Sequence, residues 1–173
     1  MPQFSNMSAR LLGRFRSGLY ASPRYLAGVQ PPLHPKDLLS HKLLGFYDGQ
    51  TIDTWALTDG KSEFQIKPTP QFLSNDYWIV KISAIHDHGI GFLPDFFANL
   101  EEKEGLLRRV LPDWTSPQIP VYCLFWSHRF ANPNVRLLVE TAARNFDAIA
   151  SYLYTASRQD VHLSEESEQG PGI

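Results

Sequence analysis

Apolar residues change their spacing along the chain, and each change marks an element. In LLGRFRSGLYA, residues 11–21, Leu12, Phe15, Leu19 and Tyr20 fall at roughly alternating positions, which predicts strand in two short pieces joined at Gly13. Ser22 and Pro23 follow. A serine hydroxyl can accept from free backbone N–H groups at a helix start, and proline's fixed φ suits the first helical position, so a short helix begins there. Residues 28–42 carry Pro31, Pro32 and Pro35 and read as loop, apart from one helical turn opening over 35–38. LLGFY at 43–47 and TWALTDG at 54–60 read as strands flanking turns at Asp48-Gly49 and Asp59-Gly60. Residues 64–73 are extended, and Pro68 and Pro70 within them suit a sheet edge, because neither offers a ladder donor.

SNDYWIVKISAIHDHG, residues 74–89, carries two signals. Ile79, Val80, Ile82 and Ile85 are β-branched and favour strand, whereas Ser74, Asn75 and Asp76 are N-cap types and Gly89 is a natural stop. Length decides for a helix with capped ends. IGFLP at 90–94 is then a short buried strand, and 95–106 a helix that starts near Asp95 and ends at Gly105. Residues 107–114 and 119–128 read as two more strands. From Asn132 and Pro133 the helical period is clearest, with Val135, Leu138, Val139, Ala142, Phe146, Ile149 and Leu153 on one face and Arg136, Glu140, Arg144 and Asp147 opposite. The ends, 1–8 and the glutamate-rich 158–173, offer no buriable pattern and are expected to be unstructured. Strands interleaved with helices indicate an α/β fold.

Composition narrows the function. Sixteen basic and eighteen acidic residues give a net charge of −2, so the chain as a whole does not attract a phosphate backbone. The single cysteine, Cys123, lies in the apolar run VYCLFW, where a buried, inert thiol is expected, and no disulfide framework exists. No apolar run is long enough to span a membrane. The segment before Asp37 holds four arginines and no acidic residue, which also fits an organellar transit peptide; the strand reading of the same residues is the one adopted.

Taken in order, LYASPRYL, PKDLLSHKLLGF, TWALTDG, the SND that opens a helix, GIGFLPDFFA, LRRVLPDW and IPVYCLFWSHRFANPNVRLLVE resemble the C-terminal effector-binding (substrate-binding) domain of LysR-type transcriptional regulators, over roughly residues 9 to 146. No one piece is specific; their order and spacing carry the resemblance. It implies an α/β fold like that of type II periplasmic binding proteins, with two lobes, crossing hinge strands and a small-molecule cleft. This chain would hold the end of the first lobe and a hinge strand (1–21), the second lobe (22–114), the return hinge strand and C-terminal helix (115–157) and a disordered tail (158–173). The helix-turn-helix and most of the first lobe are expected to be missing, so the sequence reads as a fragment. The apolar face of its last helix is then left partly uncovered, and a homo-oligomer is expected.

The resemblance further implies a cytoplasmic, bacterial, non-enzymatic protein with a small-molecule effector, no cofactor, no membrane contact, and DNA contact only through the missing N-terminal region. Effectors in such domains sit at helix starts, and two starts fit, Ser22 with Pro23, and Ser74 with Asn75 and Asp76. Each residue also has an ordinary capping role. The charge of Asp76 would repel an anion, which leaves a neutral or cationic effector. Ile90, Gly91 and Phe92 could line the cleft as its apolar wall, with a core role as the alternative, and Trp55, Trp78, Trp114 and Trp126 read as core or interface residues.

His86, Asp87 and His88 raise a metal question. On a helix, side chains two residues apart diverge by about 200°, and on a strand a third ligand would have to come from distant His34, His41 or His128. A helix end is the expectation, with no metal and with a stability that can depend on pH. No hydrolase, zinc-protease or phosphate-loop motif is present. Two other classes stay open: a stand-alone binding module, and a metal-dependent enzyme built on His86, Asp87, His88 and His128.

Overall fold

The structure is a computed structural model and describes residues 7–47, 54–126, 132–146 and 148. The chain forms two compact units, Phe15–Ile119 and a second made of Met1–Arg14 with Pro120–Ile173.

In the larger unit a five-stranded sheet has the order β6-β3-β7-β2-β8. Its strands are β2 (Ser17–Ala21), β3 (Leu43–Phe46), β6 (Phe72–Ser74), β7 (Ile90–Pro94) and β8 (Arg108–Val110). β3 runs parallel to β6 and β7, while β2 runs antiparallel to β7 and β8. The pleat sends alternate residues to opposite faces. Leu19, Leu43 and Ile90 join one core layer with Trp55, Leu57 and Ile66, whose hairpin is β4 (Trp55–Thr58) and β5 (Glu63–Ile66). Tyr20, Leu44 and Leu93 join the other, under α2 (Tyr77–Ile85) and α3 (Asp95–Lys103). Both faces are therefore covered, as strands this uniformly apolar require. The first layer also takes α1 (Pro23–Ala27) through Tyr25 and a 3-10 helix over Pro35–Ser40 through Leu38.

Close packing depends on two glycines. A Cβ on Gly91 would lie 3.3 Å from a Val80 methyl, so its absence lets α2 settle on β7. Gly89 has φ +149°, and a Cβ there would meet the Lys42 carbonyl oxygen at 2.3 Å.

The smaller unit pairs β1 (Met7–Phe15) with β9 (Ile119–Trp126) and carries α4 (Pro133–Arg144). Asn132 caps α4 through Asn134 N–H at 2.9 Å, Val139 is buried, and the Phe146 ring lies over Gly13.

Several local expectations change. The alternating run 11–21 breaks at Arg16 rather than Gly13, and its two parts join different sheets. Residues 64–73 do not form one extended edge; β5 ends at Ile66, and only 72–74 reach the main sheet, as its edge strand. The strand at 107–114 shrinks to β8, because Leu111 at φ +50° turns the chain. The left-handed residue after α2 is Asp87 (φ +65°), ahead of Gly89. Cys123 is half-buried rather than buried, whereas Leu138, on the apolar face of α4 expected to be left partly uncovered, is 70% exposed. The Asp48-Gly49 turn, His128, Asp147, Ile149, Leu153 and the tail 158–173 lie outside the described residues.

Candidate ligand-binding end of the sheet

Strand direction decides which predicted residues can meet. Phe46 and Ser74 are register partners at the carboxyl ends of β3 and β6, and β7 ends at Pro94 on the same edge, opposite Ser17. In open α/β sheets, ligands dock outside the carboxyl ends of parallel strands. Two helices also start at this edge, α2 after β6 and α3 after β7.

The start of α2 is built by its own sequence. Asp76 is the N-cap, and its Oδ1 accepts the Trp78 N–H at 2.8 Å. Ser74 Oγ accepts the Asp76 N–H at 3.1 Å, and the Ser74 carbonyl accepts the Tyr47 N–H at 2.9 Å. Asn75 is exposed. Beside this turn the Phe46 and Tyr77 rings stack with centroids 4.1 Å apart and planes 5° from parallel. A carboxylate, a hydroxyl, an exposed amide and an aromatic pair thus converge on one corner.

Ser22 does not join them. It ends β2, which runs antiparallel to β7, so it lies at the opposite edge of the sheet from Ser74, Asn75 and Asp76. It is buried; its Oγ accepts the Tyr25 N–H at 3.0 Å and donates to Asp87 Oδ1. Ile90, Gly91 and Phe92 occupy the central strand: Ile90 is fully buried, Gly91 lies beneath α2, and the Phe92 ring is 5.3 Å from Trp55.

The histidine pair flanks a structural joint. Asp87 binds Ser22 and forms an ion pair with Arg24 Nε at 3.5 Å, while His88 Nδ1 is 2.6 Å from the His86 carbonyl oxygen. Asp87 therefore ties the end of α2 to the start of α1. Among the described residues no group of three His, Cys, Asp or Glu side chains could hold a metal ion.

Two charged clusters escaped the sequence reading. Lys81 is fully buried, donates to Glu101 Oε1 at 2.9 Å, and lies 3.9 Å and 4.5 Å from the Trp78 and Phe97 ring centroids. It joins α2 to α3, the two helices that start at the candidate edge. Tyr20 donates to Asp95 Oδ1 at 3.1 Å, and Arg109 pairs with the same carboxylate at 3.3 Å over Gly18, where a Cβ would collide with the guanidinium. Burial, reinforced by the Asp95 charge, pushes the Tyr20 phenol well above its ordinary range. The signals were there, a lysine inside the apolar helix 77–85 and a glycine inside a buried strand, but neither names its partner.

The profile described as LysR substrate binding domain matches residues 2–147. An HTH-type transcriptional regulator of Xanthomonas campestris pv. campestris (strain 8004) is 31% identical over 150 residues, covering 83% of this chain and 44% of that protein. The HTH-type transcriptional regulator PtxR of Pseudomonas aeruginosa is 31% identical over 140 residues, covering 81% and 45%. Among solved structures, the regulatory domain of CrgA, a LysR-type transcriptional regulator from Neisseria meningitidis, superposes with a TM-score of 0.71 at 28% identity, covering 81% of this chain and 69% of that one. Full-length AphB, the Vibrio cholerae virulence activator, gives 0.70 at 26% identity, covering 85% and 50%. The chain spans less than half the length of these two curated relatives.

Proposed function

Because the chain belongs to the LysR substrate-binding-domain family, we propose that it is the effector-binding part of a bacterial LysR-type transcriptional regulator, and that a small molecule docks at the Ser74 edge of the five-stranded sheet. The observation that carries this reading is the convergence of Ser74, Asn75 and Asp76 with the Phe46–Tyr77 pair at the carboxyl ends of parallel strands. Ser22 serves structure, holding α1 against the end of α2. Ile90, Gly91 and Phe92 serve the core.

In this reading residues 22–114 form the second lobe, 1–21 and 115–157 supply the hinge strands and C-terminal helix, and the protein acts in the cytoplasm as a homo-oligomer without catalysing a reaction. No helix among the described residues is long and apolar enough to cross a membrane. The effector works by differential affinity: it favours the arrangement of the regulator that it binds more tightly, and promoter binding follows. DNA contact is made by a helix-turn-helix region and not by residues 15–119.

Amide NMR of the chain during a small-molecule fragment screen tests this. Hits are expected to move Tyr47 and Ser74–Tyr77. Hits that map consistently to Ser22 and the α1 end, or specific retardation of promoter DNA by this chain alone, would overturn the reading.

A further inference from the structure

We infer that the cavity between β1, β9 and α4 is a binding site for an organic monoanion, a carboxylate carrying an apolar group, separate from the Ser74 edge.

The side that α4 turns to the two strands is the first observation. Arg136, Val139 and Glu140 stand at i, i+3 and i+4 and share one helix face. That face, with Ala9 and Arg10 of β1 and Phe125 of β9, lines a cavity of about 460 Å³. Leu137 and Leu138 of the same helix are more than half exposed. The strands therefore meet a charged pair where leucines would have buried more apolar surface. A cavity of this size suits one small molecule.

The lining is positive, by a single charge. Two guanidiniums, Arg10 and Arg136, stand against one carboxylate, Glu140. The hydrogen bond from Arg136, with the Arg144 and Arg10 charges nearby, holds the Glu140 carboxyl below its ordinary range, so it is ionised at neutral pH. Glu140 Oε1 accepts from Arg136 Nε at 2.9 Å, which orients that guanidinium, while its two terminal amino groups have no hydrogen-bond partner among the described residues. Arg10 forms no ion pair among the described residues. A guanidinium takes a carboxylate through two parallel N–H bonds. One negative charge balances the lining, and a second overshoots it. Half-buried Phe125 and buried Val139 supply an apolar wall for the rest of the molecule.

Probes of similar shape separate charge from fit: phenylacetate, 2-phenylethanol, 2-phenylethylammonium and the dianion phenyl phosphate, each titrated into the full chain with amide NMR detection. Phenylacetate is expected to move Ala9, Arg10, Phe125, Arg136 and Glu140 and to bind about tenfold more tightly than the alcohol or the amine. Arg10→Gln breaks no ion pair and should weaken phenylacetate about fivefold without lowering the unfolding midpoint. Phenyl phosphate should bind no more tightly than phenylacetate in the parent chain, and more tightly in Glu140→Gln. Equal binding of the alcohol, tighter binding of phenyl phosphate in the parent, or no effect of Arg10→Gln would overturn the monoanion class. A response at Tyr47 and Ser74–Tyr77 in place of these amides would assign the carboxylate to the Ser74 edge, sinking this site and leaving the proposed function intact. No response at either set sinks this inference as well.

Discussion

The two units of this protein bury their apolar residues unequally. In Phe15–Ile119 the sheet has cover on both faces, and Leu19, Tyr20, Leu93 and Ile90 are fully buried. In the smaller unit, Tyr122 and Leu124 of β9 are each about half exposed, as is Trp126, and α4 exposes most of Leu137 and Leu138. The amphipathic pattern is clearest in α4, in the less covered unit. A pattern therefore encodes which face could be buried, and burial itself depends on a partner surface. The candidate ligand corner lies in the region that supplies its own partners.

The sharpest way to break this contrast is through the buried ion pair. Lys81→Met leaves Glu101 in the interior without its cation, and Glu101 Oε2 already has no hydrogen-bond partner among the described residues. Urea unfolding is expected to show a loss of about 3–5 kcal/mol, and Glu101→Leu added to Lys81→Met should recover much of it. Leu93→Ala follows, at about 2–5 kcal/mol, because the side chain is fully enclosed.

A pair of glycine substitutions compares the units directly. Gly89→Ala drives a methyl into the Lys42 carbonyl at a positive φ and should cost about 1–3 kcal/mol. Gly13→Ala meets the Phe146 ring, a side chain that can swing away, and should cost about 1 kcal/mol. Equal losses would mean that the smaller unit is as tightly packed as the larger. At the low end, Leu138→Ala should change stability by less than about 0.5 kcal/mol.

The acid limb adds a graded effect. Partial burial holds the His41 imidazole below its ordinary range, so the unfolded chain takes up a proton first as pH falls. The stability linked to His41 is present above about pH 6.5 and declines below it, toward the folded value. His41→Gln should flatten the unfolding midpoint between about pH 7 and pH 5 relative to the parent protein. The depressed Asp37 and Asp59 carboxylates, each held by backbone N–H groups, act in a separate window below about pH 4.

Much of the element order was legible, because caps and breakers are local. Asp76, with Ser74 two residues before it, starts α2, Pro23 opens α1, and Asn132 with Pro133 opens α4, all as the residue types dictate. What stayed illegible depends on direction and partnership. Ser22 and Ser74 look alike as helix starts, and only the antiparallel run of β2 sends them to opposite edges. The break at Arg16 is invisible because alternation continues through it while the pairing strand changes from β9 to β7 and β8. The partner of Lys81 is not legible either, because Glu101 reaches it only from α3.

The unit carrying the ligand corner is held together by its own core, whereas among the described residues of the smaller unit Tyr122, Leu124, Leu137 and Leu138 are each more than half exposed. Residue-resolved hydrogen exchange of the whole chain tests this contrast most directly. Amides of β2, β3 and β7 should exchange slowest, and those of β9 and α4 markedly faster. Equal or greater protection in β9 and α4 would contradict the account.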